Sequence, residues 1–114
     1  KQLHEALRWE GETTEILGNI GYALLQTVQY RNAAGIFQRL TQTAPGEYLA
    51  WMNLGLSLAA LDAGENAVRA LHRARDIAPN AAAVHHHLAQ VHRELGQSEA
   101  AAEAERRLRE LTGQ

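Results

Sequence analysis

Between Tyr48 and Leu61 the chain carries apolar residues on two faces of one helical period: Trp51, Leu54, Leu58 and Leu61 on the first, and Leu49, Met52, Leu56 and Ala59 or Ala60 on the second. Other segments show one such stripe. Leu3, Ala6, Leu7 and Trp9 predict a short amphipathic helix over residues 1–10, which Gly11 is expected to stop. Ile16, Leu17, Ile20, Leu24 and Val28 predict a second helix to about Val28, with Thr13 or Thr14 as its cap. Ala33, Ile36, Phe37 and Leu40 mark a third, from about Asn32 to Thr43, and Pro45-Gly46 ends it. After the two-striped helix comes one over 65–78, closed by Pro79. Asn80 is expected to cap a helix over about 81–95, Gly96 to supply a left-handed turn residue, and Ser98 to cap the last helix. Glu103 with Arg107, and Glu105 with Arg109, are spaced as i,i+4 pairs on that helix.

The pattern repeats. Shifted by one period of about 34 residues, Pro79 falls on Pro45, Ala67 on Ala33, Leu71 on Phe37, Gly55 on Gly21, Leu54 on Ile20, Leu58 on Leu24 and Trp51 on Leu17, with no insertion. In the other direction Leu54 falls on Leu88, Gly55 on Ala89, Ala67 on Ala101 and Ala74 on Leu108. Small residues at Gly21, Gly55 and Ala89 let two helices of a unit approach closely, while large apolar neighbours fill the space between units. Trp51, Leu54, Gly55, Leu58, Ala67, Leu71 and Pro79 stand at the spacing of the tetratricopeptide signature, with Leu58 and Leu71 where its Tyr and Phe stand.

The chain therefore resembles the tetratricopeptide repeat family over about 100 of its 114 residues. The resemblance implies an all-α, right-handed α-solenoid of about three helix-turn-helix units forming one domain. Residues 1–13 are an N-terminal helix or partial repeat, 14–47 the first unit, 48–81 the second, and 82–114 the third, with a polar capping helix. By register, residues 1–10 occupy the place of the second helix of an earlier unit, so this helix is either a cap or the stump of a longer solenoid. Glu105 stands where Phe37 and Leu71 stand, and a charge there is costly under a further repeat, so the array is expected to end with the last helix.

Composition removes several functions. A formal charge of −2 and a pI near 6.3 form no basic stripe, so nucleic acid is not the expected partner. The absence of cysteine removes thiolate and disulfide chemistry and suits a cytoplasmic protein, and no apolar run is long enough to cross a membrane. The chain opens on Lys1 rather than methionine, which leaves targeting signals open. His85, His86, His87 and His92 are the most chemically suggestive group. Consecutive helical residues point about 100° apart and no pair has i,i+4 spacing, so no metal site is expected; by register His85 and His92 replace Trp51 and Leu58 as packing residues. Glu99, Glu103, Glu105 and Glu110 read as a solvated face, and neither a nucleophile beside a base nor a phosphate loop is present. The protein is expected to be no enzyme and to need no cofactor.

In the family the first helices of successive units line the concave surface where partners usually bind. The resemblance then turns the second stripe toward that surface and gives a groove of Tyr22, Leu25, Leu49, Met52, Asn53, Leu56, Ala59, His86 and Gln90, bordered by Gly18, Ala83 and Arg93. The expected function is a protein-protein interaction module binding an apolar peptide or helix. Gly35-Ile-Phe-Gln-Arg-Leu40 and Trp51-Met-Asn-Leu-Gly-Leu56 also resemble class II chaperones of bacterial type III secretion, which clasp an apolar segment of translocators. The alternative is structural: a piece of a longer solenoid, or a homodimer that covers the stripe. The family's clamp for acidic C-terminal tails is matched only at Asn53, so such tails are not expected ligands.

Overall fold

A computed structural model describes the backbone of residues 2–113 and the side chains of residues 13–113. Among them lie α1 (Gln2–Gln26), α2 (Tyr30–Thr43), α3 (Tyr48–Ala60), α4 (Gly64–Ile77), α5 (Ala82–Glu94) and α6 (Ser98–Thr112), with no strand. Each helix packs chiefly on its neighbours in sequence, giving an elongated body of 53 × 28 × 20 Å. The helices pair as helix-turn-helix hairpins: α1 with α2, α3 with α4, α5 with α6.

The repeat period reaches the backbone. The turns inside the units pass through a left-handed residue at Val28 (φ 64°), Asp62 (φ 62°) and Gly96 (φ 75°). After each, an amide reaches back to an earlier carbonyl at the same offset: Gln29 to Leu24 at 2.8 Å, Ala63 to Leu58 at 2.9 Å and Gln97 to His92 at 2.8 Å. Close approach within a unit needs a missing side chain. A Cβ on Gly21 would stand 2.7 Å from Phe37 Cζ, and one on Gly55 would stand 2.8 Å from Leu71 Cγ and 3.2 Å from the Ala67 carbonyl.

Two core clusters result. Ala33, Phe37 and Leu40 of α2 meet Ala50 and Leu54 of α3, while Ala67, Leu71 and Ala74 of α4 meet Val84, Leu88 and Val91 of α5. Leu17, Leu24 and Leu25 pack against the first cluster. Ile16, Ile20 and Val28, expected inside, are exposed. Among the described residues α1 packs chiefly on α2, which leaves the first two uncovered, and Val28 has left the helix for the turn.

Several sequence expectations give way. Helix α1 runs through Gly11. A helical glycine costs only about 1 kcal/mol relative to alanine, and Gly11 lacks the ring that removes an amide at Pro45 and Pro79. The side-chain packing expected of Leu3, Ala6, Leu7 and Trp9 lies outside the described residues. Neither Asn80 nor Ser98 caps a helix: Ala81 and Gln97 hold those positions without side-chain cap bonds, and the Asn80 Oδ1 accepts from Arg107 at 3.0 Å instead. The charges on α6 also pair differently. Glu105 takes Arg93 across from α5, Glu103 takes Arg106, and Arg107 meets Glu110 at 3.2 Å. Glu105 is thus matched by the neighbouring helix at the site where the earlier units place a buried apolar residue.

Candidate functional site

The first helices present α1, α3 and α5 side by side with few direct contacts between them, so clefts open where they flank a second helix. One cleft of about 520 Å³ lies between α1 and α3 with α2 as its floor. Gly18 leaves α1 without a side chain there, and Leu49 and Asn53 of α3 stand opposite Thr14 and Asn19. Phe37, Leu40 and Ala50 supply an apolar base, and Glu15 and Glu47 add carboxylates. Leu49 is 48% exposed in spite of its size, and Tyr22, further along α1, is 57% exposed. Such a cleft has the volume and the mixed lining of a binding site.

The sequence-predicted groove is divided by the structure. Leu49 and Asn53 line the cleft. Leu25 packs partly against the first core cluster and Ala59 against the second, while Leu56 is half-buried and His86 and Gln90 are exposed on α5. Met52 is a correction: it is only 9% exposed and belongs to the core cluster with Val84, Leu88 and Ala89. Helix α3 touches α1, α2, α4 and α5, and its second stripe is shared between the core cluster of α4 and α5, which takes Met52, and the cleft toward α1, which takes Leu49. Thr14, Glu15, Asn19 and Glu47 were not read from the sequence. Asn19 could have been, since it stands one repeat period ahead of Asn53.

Three of the histidines lie together elsewhere, between the second and third units. A second cleft, of about 550 Å³, is lined by His72, Arg75, Asp76, His85, His92, Glu103 and Arg107. It repeats, one unit on, a cleft lined by Gln38, Thr41, Gln42, Trp51, Leu58, Arg69 and Arg73. Trp51 donates its Nε1 proton to the Pro45 carbonyl at 2.9 Å, and His85 places Nε2 2.8 Å from the Pro79 carbonyl, which assigns the proton to that nitrogen. His92 Nδ1 likewise donates to Gln97 Oε1 at 2.7 Å. His85 and His92 are packing residues, 5% and 8% exposed. The encounter of His72 with His92, ring centres 6.1 Å apart, joins α4 to α5 and is invisible to any spacing rule within one helix. Burial first, then Arg75 and His92, hold His72 below the ordinary imidazole range, with Asp76 opposing. Burial, then His86, does the same for His87, with a side-chain hydrogen bond to Gln90 opposing; its Nδ1 is buried without a partner. Among the described residues, no three His, Asp or Glu side chains converge on one point as metal ligands would, and no helix is long and apolar enough to cross a membrane.

No family model and no curated relative matches the sequence. Solved structures match the fold. PcrH in complex with the chaperone binding region of PopD superposes with a TM-score of 0.87 at 23% identity, over 90% of this chain and 77% of that one. The Yersinia enterocolitica type III secretion chaperone SycD, in complex with a peptide of the translocator YopD, gives 0.85 at 19% identity over 88% and 76%. A MamA mutant gives 0.81 at 21% identity over 87% and 72%. The architecture is a tetratricopeptide-type α-solenoid similar to these proteins.

Proposed function

We propose that the protein binds an extended or helical apolar segment of another protein in the cleft between α1 and α3. The observation that carries this reading is Leu49, a large aliphatic side chain left 48% exposed at the lip of a cleft of about 520 Å³. Asn19 and Asn53 supply amide donors and acceptors for a partner's backbone, and Glu15 and Glu47 favour a segment without acidic residues. Tyr22 and the half-buried Leu56 extend the apolar surface along the first helices.

Burying an aliphatic anchor contributes about 1.5–3 kcal/mol, and ordering and association costs remove much of the sum, so micromolar affinity is expected. Chaperoning an apolar segment of a secreted translocator is the sharper form of the proposal. It is supported by the likeness of fold to PcrH, solved with the chaperone binding region of PopD, and to SycD, solved with a peptide of the translocator YopD. The test is fluorescence polarisation with labelled apolar peptides, run beside an acidic tail peptide as control. Binding of an apolar peptide that Leu49→Asp weakens tenfold or more fits the cleft; binding indifferent to Leu49→Asp, or tighter binding of the acidic tail, overturns it.

A further inference from the structure

The cleft between α2 and α4, of about 510 Å³, carries a charge that its counterpart one unit on does not share. Shifted by one repeat period, Gln38 falls on His72, Gln42 on Asp76, Arg69 on Glu103 and Arg73 on Arg107, so the two linings correspond position by position. In the later cleft Asp76 and Glu103 offset Arg75 and Arg107. Among the described residues no carboxylate lines the earlier one, and its two guanidinium groups are uncancelled.

Both arginines stand exposed on α4, and neither meets a carboxylate among the described residues. Arg73 lies over the indole of Trp51, 4.9 Å from the ring centre, and the bond from that indole to the Pro45 carbonyl fixes it in turn. A guanidinium stacked by its face keeps its N–H edge for a planar acceptor such as a carboxylate. Arg69, one turn earlier on the helix, is steadied by the Asn66 side-chain oxygen. Gln38 and Gln42 line the opposite wall, from α2, and bring amide donors and acceptors that match a peptide backbone.

We propose that the α2–α4 cleft binds an acidic segment of a partner protein, with carboxylates of the segment on Arg69 and Arg73 and its backbone along the α2 glutamines. Charge complementarity selects this occupant. Two arginines are too few to hold a nucleic acid, which carries a phosphate at every nucleotide. The site is separate from the α1–α3 cleft, since no residue lines both, and the two are opposite in charge: Glu15 and Glu47 there, Arg69 and Arg73 here. Exposed ion pairs contribute little each, so the acidic segment is expected to bind more weakly than the apolar peptide of the α1–α3 cleft and to be released by salt.

The test is fluorescence polarisation at low salt with a labelled, end-blocked peptide of alternating Glu and Ser, beside the same peptide with Gln for Glu. The Glu peptide should bind, the Gln peptide should not, and binding should fall at least about tenfold between about 50 mM and about 500 mM salt. Arg69→Glu should abolish it. Gln42→Asp, which installs the carboxylate that the later cleft carries at Asp76, should weaken it by about tenfold. Both residues are exposed, so circular dichroism should show both variants folded. Leu49→Asp, in the other cleft, should leave binding of the Glu peptide unchanged, which separates this proposal from the apolar-peptide reading. Equal binding of the Glu and Gln peptides, binding that survives both Arg69→Glu and Gln42→Asp, or tighter binding of a single-stranded oligonucleotide overturns the site.

Discussion

Val28 holds a backbone conformation that a β-branched residue rarely adopts, with φ at 64°, in the turn position where the third unit places Gly96. The strain is worth about 1–3 kcal/mol. Val28→Gly is therefore expected to raise stability by about 1 kcal/mol after the added freedom of the unfolded chain is subtracted, measured as a shift in the urea midpoint. Two other glycines give opposite expectations. Gly35 has nothing within 4 Å of a built Cβ, so Gly35→Ala should stabilise α2 by about 0.5–1 kcal/mol through helix propensity alone. Gly55→Ala meets the same propensity gain but drives a Cβ to 2.8 Å from Leu71 and 3.2 Å from the Ala67 carbonyl, a backbone atom with little room to yield. A net loss of about 1–3 kcal/mol is expected. Equal melting curves for the Gly35 and Gly55 variants would show that α3 and α4 are not in close contact.

At the scale of the element, α3 decides how the groove is read. Its two apolar stripes were legible in the sequence, but their fates were not, because hydrophobicity shows that a side chain seeks cover without showing which neighbour provides it. Met52 is buried in the cluster it shares with α4 and α5, while Leu49, one helical turn away, stays at the open edge. Asp substitutions should separate the two. Met52→Asp places a charge in the core and is expected to cost about 3 kcal/mol or more, or to prevent folding. Leu49→Asp should change stability by no more than about 0.5 kcal/mol while weakening capture of an apolar peptide. Circular-dichroism melts of both variants check this; a stable Met52→Asp protein would return that residue to the groove. The pairs on α6 lie at the surface and carry little of the stability, so breaking Arg107–Glu110 should move the melt by less than about 1 kcal/mol.

At the scale of the whole molecule, the imidazoles couple the second and third units to pH. His72 and His87 both have folded-state values below the ordinary 6.5, chiefly through burial. Both are neutral in either state at high pH, so they favour neither. As pH falls below about 6.5 the unfolded chain takes up protons first, so stability declines from there until the lowered folded-state values are passed. The urea midpoint should accordingly drop between about pH 7.5 and about pH 5.5, and the fall should shrink in the double variant His72→Gln, His87→Asn. These are the residues the chain itself uses one unit earlier, at Gln38 and Asn53. An undiminished fall in that variant would place the acid sensitivity on other groups.

Period and residue size were sufficient to determine the repeat, the alternation of first and second helices, the glycines at close approaches and the left-handed residue at Gly96, since each depends on neighbours within one repeat unit. The continuity of α1 through Gly11, the burial of Met52, the meeting of His72 with His92 and the pairing of Glu105 with Arg93 were settled only by the tertiary structure. Each depends on which helix lies across the space between units. A glycine is a weak breaker without a proline beside it, and helical spacing orders residues along one helix while saying nothing of the ring or charge that another helix brings to meet them.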